Sequence, residues 1–110
     1  MSDEHHYRLT TTWTGNRGTG TSGYRDYERS VSVEVSGKPV VIGSADKPFR
    51  GDPQRWNPED LLVAALSQCH LLSYLHACVV HGVVVTHYRD EASGTLVQRG
   101  NGGAFRFELP

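Results

Sequence analysis

Two cysteines are the residues of this sequence best suited to nucleophilic or redox chemistry, and both lie on one predicted helix. Cys69 lies in the middle of the stretch 57–81, and Cys78 follows nine residues later. At ~1.5 Å per residue their Cα atoms are roughly 13 Å apart along the helix, too far for a disulfide within one chain. Cys78 is therefore predicted to be a core residue. A free cysteine is most often a small buried hydrophobe, and this interpretation stays open for Cys69 beside that of a reactive thiol.

Histidines close to these cysteines raise the question of a metal site, but their spacing does not complete one. Cys78 and His81 are three residues apart and would share one helix face. A structural zinc site needs four ligands in recurring pairs, and no second pair is visible. His5 and His6 are close to the N-terminus, where adjacent histidines are usually solvated. We therefore predict neither a metal nor a bound cofactor.

The helix that positions Cys69 is predicted over residues 57–81 from signals at both of its ends. Asn57 is a good N-cap, and Pro58 suits the first helical position because its missing N–H would have no partner there. Glu59 and Asp60 place negative charge at the positive end of the helix dipole. Gly82 accepts the left-handed backbone that commonly ends a helix.

The predicted helix is apolar on almost every side, so it has to be covered on more than one face. Polar or amphipathic residues interrupt the apolar run: Ser67, Gln68, His70, Ser73, Tyr74 and His76. These interruptions favour a buried core helix over a membrane span. Because one sheet covers only one face of a helix, either a second helix that is missing from this chain or a second copy of the chain is expected to supply the remaining cover.

Composition narrows the class of protein further. The sequence has 110 residues and a formal net charge of −1, from 11 basic and 12 acidic residues. This length suits a single domain, and the balance of charge gives no support to nucleic-acid or membrane binding. The sequence shows no secretory signal, so its two cysteines favour free thiols in a reducing compartment. A cytoplasmic location is expected.

Strands are predicted on both sides of the helix. Alternating patterns place N-terminal strands within residues 6–42, and a loop spans residues 43–56. After the helix, three strands are predicted within residues 83–109. The first spans 83–88, the second spans 94–99 and is expected to pair with the first, and the third spans 105–109 after a turn at 101–103. The prediction is one α+β domain over residues 1–110, with a mostly antiparallel sheet and a long buried central helix.

Two segments of the sequence resemble the OsmC/Ohr family of organic hydroperoxide reductases. The first is NPEDLL at residues 57–62, followed by Ala64, Ala65 and then Cys69 ten residues after Glu59. The second is WTGNRG at residues 13–18, which resembles the strand and turn that bring in the family's arginine. The resemblance runs from about residue 6 to residue 109. It implies a peroxidatic Cys69 assisted by Arg17 and Glu59, carried on the central helix of an intertwined homodimer.

The resemblance also brings an expected departure. Members of that family continue with a further strand, a second long helix and a second cysteine that resolves the first. This sequence ends before those elements, so we expect either a truncated chain or a degenerate member with one functional cysteine. The resolving thiol would then come from outside the chain, as a small or protein-borne dithiol.

Simple chemistry agrees with the roles that the resemblance implies. Burial in apolar surroundings would raise the pKa of Cys69, so a neighbouring arginine is needed to stabilise the thiolate. A carboxylate can hold that arginine in place by a bidentate contact. Arg50 and Arg55, which shortly precede the helix, are rivals to Arg17 for this role.

The position of Glu59 adds a prediction about assembly. Glu59 is roughly 15 Å from Cys69 along the same helix, so it cannot reach that thiol within one chain. Two such helices packed antiparallel about a twofold axis would bring Glu59 of one chain near Cys69 of the other. The spacing therefore predicts a homodimer with composite sites.

The function expected from the sequence is a thiol-dependent peroxidase that reduces organic hydroperoxides during oxidative stress. Cys69 would be its catalytic nucleophile, and an external dithiol would be its reductant. The alternative is a non-catalytic or degenerate OsmC-like module that binds a ligand or a partner.

Overall fold

The computed structural model describes residues 3–98 and 105–108. This part of the chain contains a three-stranded sheet, a short 3-10 helix, one α-helix and a two-stranded sheet. The strands are β1 (Thr10–Trp13), β2 (Val31–Glu34), β3 (Val41–Gly43), β4 (Thr95–Gln98) and β5 (Phe105–Glu108), and the helices are the 3-10 helix Lys47–Phe49 and α1 (Pro58–Val80). All strand pairs are antiparallel. The predicted α+β class is confirmed.

Contacts divide the chain into two compact units. The first unit ends at Pro58, and the second unit begins at Glu59. The first contains β1 to β3 and the 3-10 helix, and the second contains nearly all of α1 with β4 and β5. The prediction of one domain over residues 1–110 stays a prediction.

The sheet of the first unit is a meander in the order β1-β2-β3. In its register Thr10 lies opposite Glu34, and Val31 lies between Trp13 and Gly43. The predicted first strand is shorter than expected, because Tyr7 and Leu9 precede β1 and are exposed. Continuing the register would bring them beside residues 35–37, where the chain already turns towards β3. No backbone partner is therefore available to them in β2.

The two faces of β2 are buried to different degrees. Ser30 and Ser32 are buried, whereas Val31 and Val33 are half-buried. The alternation was predicted correctly, but the polar side is the more protected one. Arg55 donates a hydrogen bond from Nη1 to Ser30 Oγ at 2.9 Å. The loop after β3 therefore supplies a donor to the buried Ser30 hydroxyl.

Helix α1 begins and ends close to the predicted positions. It starts at Pro58, directly after the buried Asn57. Beyond its last residue, Gly82 has φ +72°, its N–H donates to Val79 O, and the Val83 N–H donates to Cys78 O. This pair of bonds around a left-handed glycine is a Schellman ending, which gives partners to carbonyls that the helix leaves open. The predicted stop at Gly82 is confirmed.

Burial of α1 differs from the prediction. Within the described part of the single chain, Cys78 is the one buried residue of the helix. Large apolar side chains are exposed along its length: Leu61, Leu62, Leu66, Leu72, Tyr74, Val79 and Val80. The chain by itself thus does not bury its central helix. By length and composition α1 could also cross a membrane, although core helices of soluble proteins meet the same two criteria.

The chain after the helix contains one wrong strand prediction. Residues 83–88 form no strand, and Val84 is 87% exposed. Their β-branched residues favour extended backbone, but no other described strand pairs with them. Strand β4 pairs instead with β5, with Leu96 opposite Phe107, so the predicted pairing of 94–99 with 83–88 is also wrong. The predicted turn at Asn101-Gly102-Gly103 lies outside the described residues.

Residues 88–90 instead contact the helix. The Tyr88 and Tyr74 rings have centroids 5.5 Å apart, and Ser67 Oγ donates to Asp90 Oδ2 at 2.6 Å. Because Ser67 precedes Tyr74 while Asp90 follows Tyr88, this segment runs antiparallel to α1. Residues 88 and 90 thus contact α1 through their side chains, whereas strand pairing through the backbone was predicted for 83–88.

Candidate functional site

Cys69 is a free, exposed thiol at mid-helix. The helical spacing places Leu62, Ala65, Leu66 and Leu72 on the turns next to it, and the three leucines are themselves exposed. The interpretation of Cys69 as a buried core residue is therefore wrong for this chain by itself. An accessible thiol next to apolar side chains can meet an apolar electrophile from solution.

Cys78 differs from Cys69 in its exposure and in its contacts. It is 7% exposed, which confirms its prediction as a core residue. The Cys78 thiol hydrogen-bonds the Tyr74 phenol one turn earlier, and this bond, with the charge that Cys78 carries when ionised, raises the pKa of Tyr74. The four-residue spacing was the available signal for this pair. No group of three side chains of the metal-binding types His, Cys, Asp and Glu converges among the described residues.

Glu59 lies in the first turn of α1 and is half-buried. With Asp60 it places negative charge where the helix dipole is positive, as predicted. Ten residues of helix separate it from Cys69, or roughly 15 Å. The helix thus holds the predicted carboxylate and the predicted nucleophile apart in one chain.

Arg17 lies in an extension of the β1–β2 hairpin. Beyond the strands the hairpin continues through the bonds Thr14 N–H to Ser30 O and Glu28 N–H to Gly15 O, both 2.9 Å. Asn16 Oδ1 then accepts from the N–H groups of Gly18 and Gly20. This is the glycine-rich turn that the sequence predicted, and the Asn16 side chain orders its tip.

Two close approaches hold this hairpin extension together. Gly15 is buried, and a Cβ at that position would overlap the Glu28 carbonyl. The Trp13 indole N–H donates to the same carbonyl at 2.8 Å, and its ring meets the edge of Tyr27 with centroids 5.7 Å apart. From this frame Arg17 Nη2 donates across the loop to Arg25 O at 3.1 Å.

The predicted loop 43–56 is a closed structure rather than a loose connection. Its ends meet where the Ser44 N–H donates to Trp56 O at 2.9 Å. Inside it, the Asp52 N–H donates to the buried Ser44 Oγ, and a Cβ on Gly51 would overlap the Ala45 carbonyl. Arg50 follows the 3-10 helix with φ +64°, in the left-handed region. The loop thus fixes the backbone on both sides of Arg50.

These two loops line a pocket of about 360 Å³ in the first unit. Five arginines contribute to its walls: Arg17, Arg25, Arg29, Arg50 and Arg55. Glu28 and Asp52 are the carboxylates of the lining, and Tyr24 and Tyr27 add aromatic surface. The structure therefore brings Arg17 together with both of its predicted rivals.

Comparisons with known proteins give one informative match. No family model matches the sequence, and no curated protein matches it. A solved structure of an OsmC-like protein of unknown function from Vibrio cholerae O1 biovar eltor str. N16961 superposes with a TM-score of 0.77. The match covers 97% of this chain and 77% of that chain, at 23% sequence identity. This chain has the OsmC-like fold. The resemblance found in the sequence is confirmed at the level of the fold.

In this OsmC-like chain the pocket arginines divide into two kinds by their contacts. Arg29 donates from Nη1 to Tyr24 O and Tyr27 O, and its guanidinium lies 3.9 Å above the Tyr27 ring centroid. Arg55 bonds Ser30 Oγ, and its Nε is 3.5 Å from Asp52. These two arginines hold loops in place.

The other three arginines keep more donors available. Arg17 makes the single bond to Arg25 O. The Arg50 guanidinium lies 5.6 Å from the Tyr24 ring centroid, and the Arg25 side chain makes no hydrogen bond or ion pair with the described residues. Sequence reasoning named Arg17, Arg50 and Arg55 but missed Arg25 and Arg29. The signal that could have found them is the dense run YRDYER at residues 24–29.

Proposed function

We propose that this OsmC-like chain is a thiol-dependent peroxidase that reduces organic hydroperoxides, with Cys69 as its peroxidatic residue. The observation that carries the proposal is a free, exposed cysteine at the middle of the central helix of this fold. Leu62, Leu66 and Leu72 flank it and are also exposed. An apolar surround of this kind favours alkyl or fatty-acid hydroperoxides over hydrogen peroxide.

The reaction balances in two stages. The Cys69 thiolate attacks the terminal oxygen of the hydroperoxide, so an S–O bond forms, the O–O bond breaks, and the alkoxide leaves as the alcohol after taking a proton. Cys69 is then a sulfenic acid. A dithiol reduces it: the first thiol displaces water and forms a mixed disulfide, and the second thiol releases Cys69 as the dithiol becomes a disulfide. No bound cofactor is required.

An arginine and a carboxylate assist in this proposal. Arg17 is the first choice for stabilising the thiolate and polarising the O–O bond, because its guanidinium makes only one bond to the described residues and keeps other donors for a partner. Arg50 and Arg55 remain rivals, although Arg55 is engaged with Ser30 and Asp52. Glu59 would hold the arginine in place through a bidentate contact.

We also propose that the active form is a homodimer in the cytoplasm. The support is the exposed apolar surface of α1 and the helix length between Glu59 and Cys69. Antiparallel packing of two such helices would cover part of this apolar surface and bring Glu59 of one chain towards the partner's catalytic thiol. Free thiols suit the reducing conditions of the cytoplasm.

The experiment is a peroxide-consumption assay with an alkyl hydroperoxide and a dithiol reductant. We expect Cys69→Ser to reduce the rate at least ~100-fold, because a hydroxyl is not ionised at neutral pH. Cys78→Ser is the matched control on the same helix, and the folded variant should keep most of the wild-type rate of peroxide consumption. Full activity of Cys69→Ser would overturn the proposal.

A second candidate, a non-catalytic ligand-binding module, is favoured by the pocket of the first unit, whose lining contains no nucleophilic thiol. One equivalent of organic hydroperoxide followed by a sulfenic-acid reagent distinguishes the two. Rapid labelling at Cys69 supports the peroxidase. An unlabelled Cys69 in folded protein supports the binding module.

A further inference from the structure

The pocket of the first unit is much more positively charged than the chain as a whole. The whole sequence has a formal net charge of −1, and five of its nine arginines line this one cavity. Against these stand two lining carboxylates, Glu28 and Asp52, so the pocket carries a formal charge of +3. Asp52 is already close to Arg55. The pocket therefore presents a surplus of cations to its interior.

Part of that surplus is not needed for the fold. Arg29 and Arg55 donate to loop atoms, whereas the Arg25 side chain makes no hydrogen bond or ion pair with the described residues. Among the described residues, the Arg50 guanidinium has the Tyr24 ring as its partner, with the ring centroid 5.6 Å away. Guanidinium groups that stabilise no carboxylate are available to an anion that enters the pocket.

The backbone at Arg50 provides an independent observation. Its φ of +64° is the one positive φ of a non-glycine residue in the described chain. An L-residue in this region is strained relative to the right-handed conformation, and glycine would avoid that strain. Strained positions of this kind cluster at ligand clamps. Here the strained residue carries one of the two uncommitted guanidinium groups.

The size and charge of the pocket define the class of ligand. A volume of about 360 Å³ lies at the small end of cavities that hold small molecules. A single carboxylate would satisfy one guanidinium, whereas Arg17, Arg25 and Arg50 offer three planar sets of donors. A ligand with two or more negative charges on adjacent oxygen-bearing groups uses them fully.

We propose that this arginine pocket binds a small polyanion, either a phosphate compound or a polycarboxylate. Arg25 and Arg50 would make the principal contacts, and Arg17 would add a third. This site includes Arg17 and Arg50, which are also candidate arginines of the proposed peroxidase. Polyanion binding goes beyond that activity and does not require the Cys69 thiol. The two possible sources of the ligand share oxyanion chemistry and are separated by experiment.

The test is calorimetric titration of the full chain at low ionic strength with pyrophosphate, citrate and acetate. We expect pyrophosphate or citrate to bind at least ~10-fold more tightly than acetate, and the binding to weaken steeply with added salt. A preference for pyrophosphate identifies a phosphate ligand, and a preference for citrate identifies a polycarboxylate. Equal affinity for acetate, or no binding by either polyanion, overturns the proposal.

Variants locate the site. Arg25→Gln and Arg50→Gly should each raise the dissociation constant at least ~10-fold, and glycine at position 50 also relieves the left-handed backbone. Arg8→Gln, an exposed arginine of the same unit outside the pocket lining, is the matched control and should bind unchanged. Unchanged binding by both pocket variants overturns the assignment. Cys69→Ser should bind normally, which separates this result from any failure of the peroxidase.

Discussion

The two units of this chain are held together in different ways. In the first unit the buried side chains are polar: Ser30, Ser32, Ser44 and Asn57. Hydrogen bonds close both of its loops, at Ser44 to Trp56 and at Glu28 to Gly15. In the second unit the buried side chain is Cys78, while the leucines of α1 stay exposed. These statements cover the described residues.

The difference teaches where each unit obtains its stability. Loops closed by backbone bonds and close glycine contacts satisfy their own polar groups, so the first unit depends on exact local geometry. An apolar helix is stabilised by burial, and each buried Leu or Val contributes roughly 1.5–3 kcal/mol. The second unit therefore depends on apolar surface from elsewhere, which the proposed homodimer would supply.

The largest effect is expected from placing a charge on α1. Leu72 is 63% exposed in the single chain, and Leu72→Glu should disrupt the proposed dimer. Losing one buried leucine from each chain removes about 3–6 kcal/mol, which raises the dissociation constant roughly 10²–10⁴-fold. Sedimentation velocity at micromolar concentration measures this change.

The control for this variant is Thr86→Glu, which adds the same charge at an exposed position outside the helix. It should leave the dimer intact. A wild-type chain that sediments as a compact, cooperatively folded monomer would contradict both the dimer and the composite site.

A smaller but still severe effect is expected in the first unit from Gly51→Ala. The added Cβ would overlap the Ala45 carbonyl, and the loop cannot move without losing its closing bonds. We expect a loss of roughly 3 kcal/mol or more in the free energy of unfolding. Denaturant unfolding followed by circular dichroism measures it.

Gly37→Ala is the comparison for that variant. Gly37 has φ +82° but open space around it, so alanine there should cost only about 1–2 kcal/mol. If the two variants lose equal stability, then close packing of the loop is not what holds the first unit together.

Cys78→Ala tests the buried thiol of α1 and its hydrogen bond with Tyr74. Removing the thiol should cost about 1 kcal/mol of stability and return the pKa of Tyr74 towards its ordinary value, because the hydrogen bond and the charge of Cys78 raise it. A raised pKa means that the folded state favours neutral Tyr74. Its contribution is thus present below the ordinary tyrosine pKa and is lost as pH rises through the folded value. Ultraviolet titration of phenolate, with Tyr74→Phe as reference, follows the shift.

An effect as small as that of Cys78→Ala is expected from Trp13→Phe. The change removes the bond from the indole N–H to Glu28 O, and Trp13 is partly exposed, so water can replace the donor. We expect a loss of ~1 kcal/mol. Trp56→Phe, which removes an exposed indole that bonds no described residue, should lose less than half of that. If Trp56→Phe loses more stability than Trp13→Phe, then the bond from the Trp13 indole to Glu28 O contributes little to the stability of the first unit.

Much of the fold could be predicted from local patterns. Pro58 and Gly82 marked the ends of α1 because helix termini impose requirements on individual residues. Strands β1 and β2 lie within residues 6–42, where alternating patterns predicted strands. The segment 57–62 with Cys69 indicated the OsmC-like fold, because the spacing of residues along one helix can be read directly from the sequence.

Other features were decided by tertiary contacts. Residues 83–88 have the composition of a strand, but a strand needs a partner edge, and β4 pairs with β5 instead. Cys69 is exposed in the single chain. Its burial depends on what packs against the helix, and the local sequence spacing does not contain that information.

The arginine pocket shows the same division between sequence and tertiary structure. The sequence by itself determined which residues carry positive charge near the helix start and in the glycine-rich turn. Only the tertiary structure decided that Arg17, Arg25 and Arg50 line one cavity, while Arg29 and Arg55 bind loop atoms. The physical reason is that these residues are up to 38 positions apart in the sequence. Their side chains meet in the folded chain because each of the two loops is closed by its own hydrogen bonds.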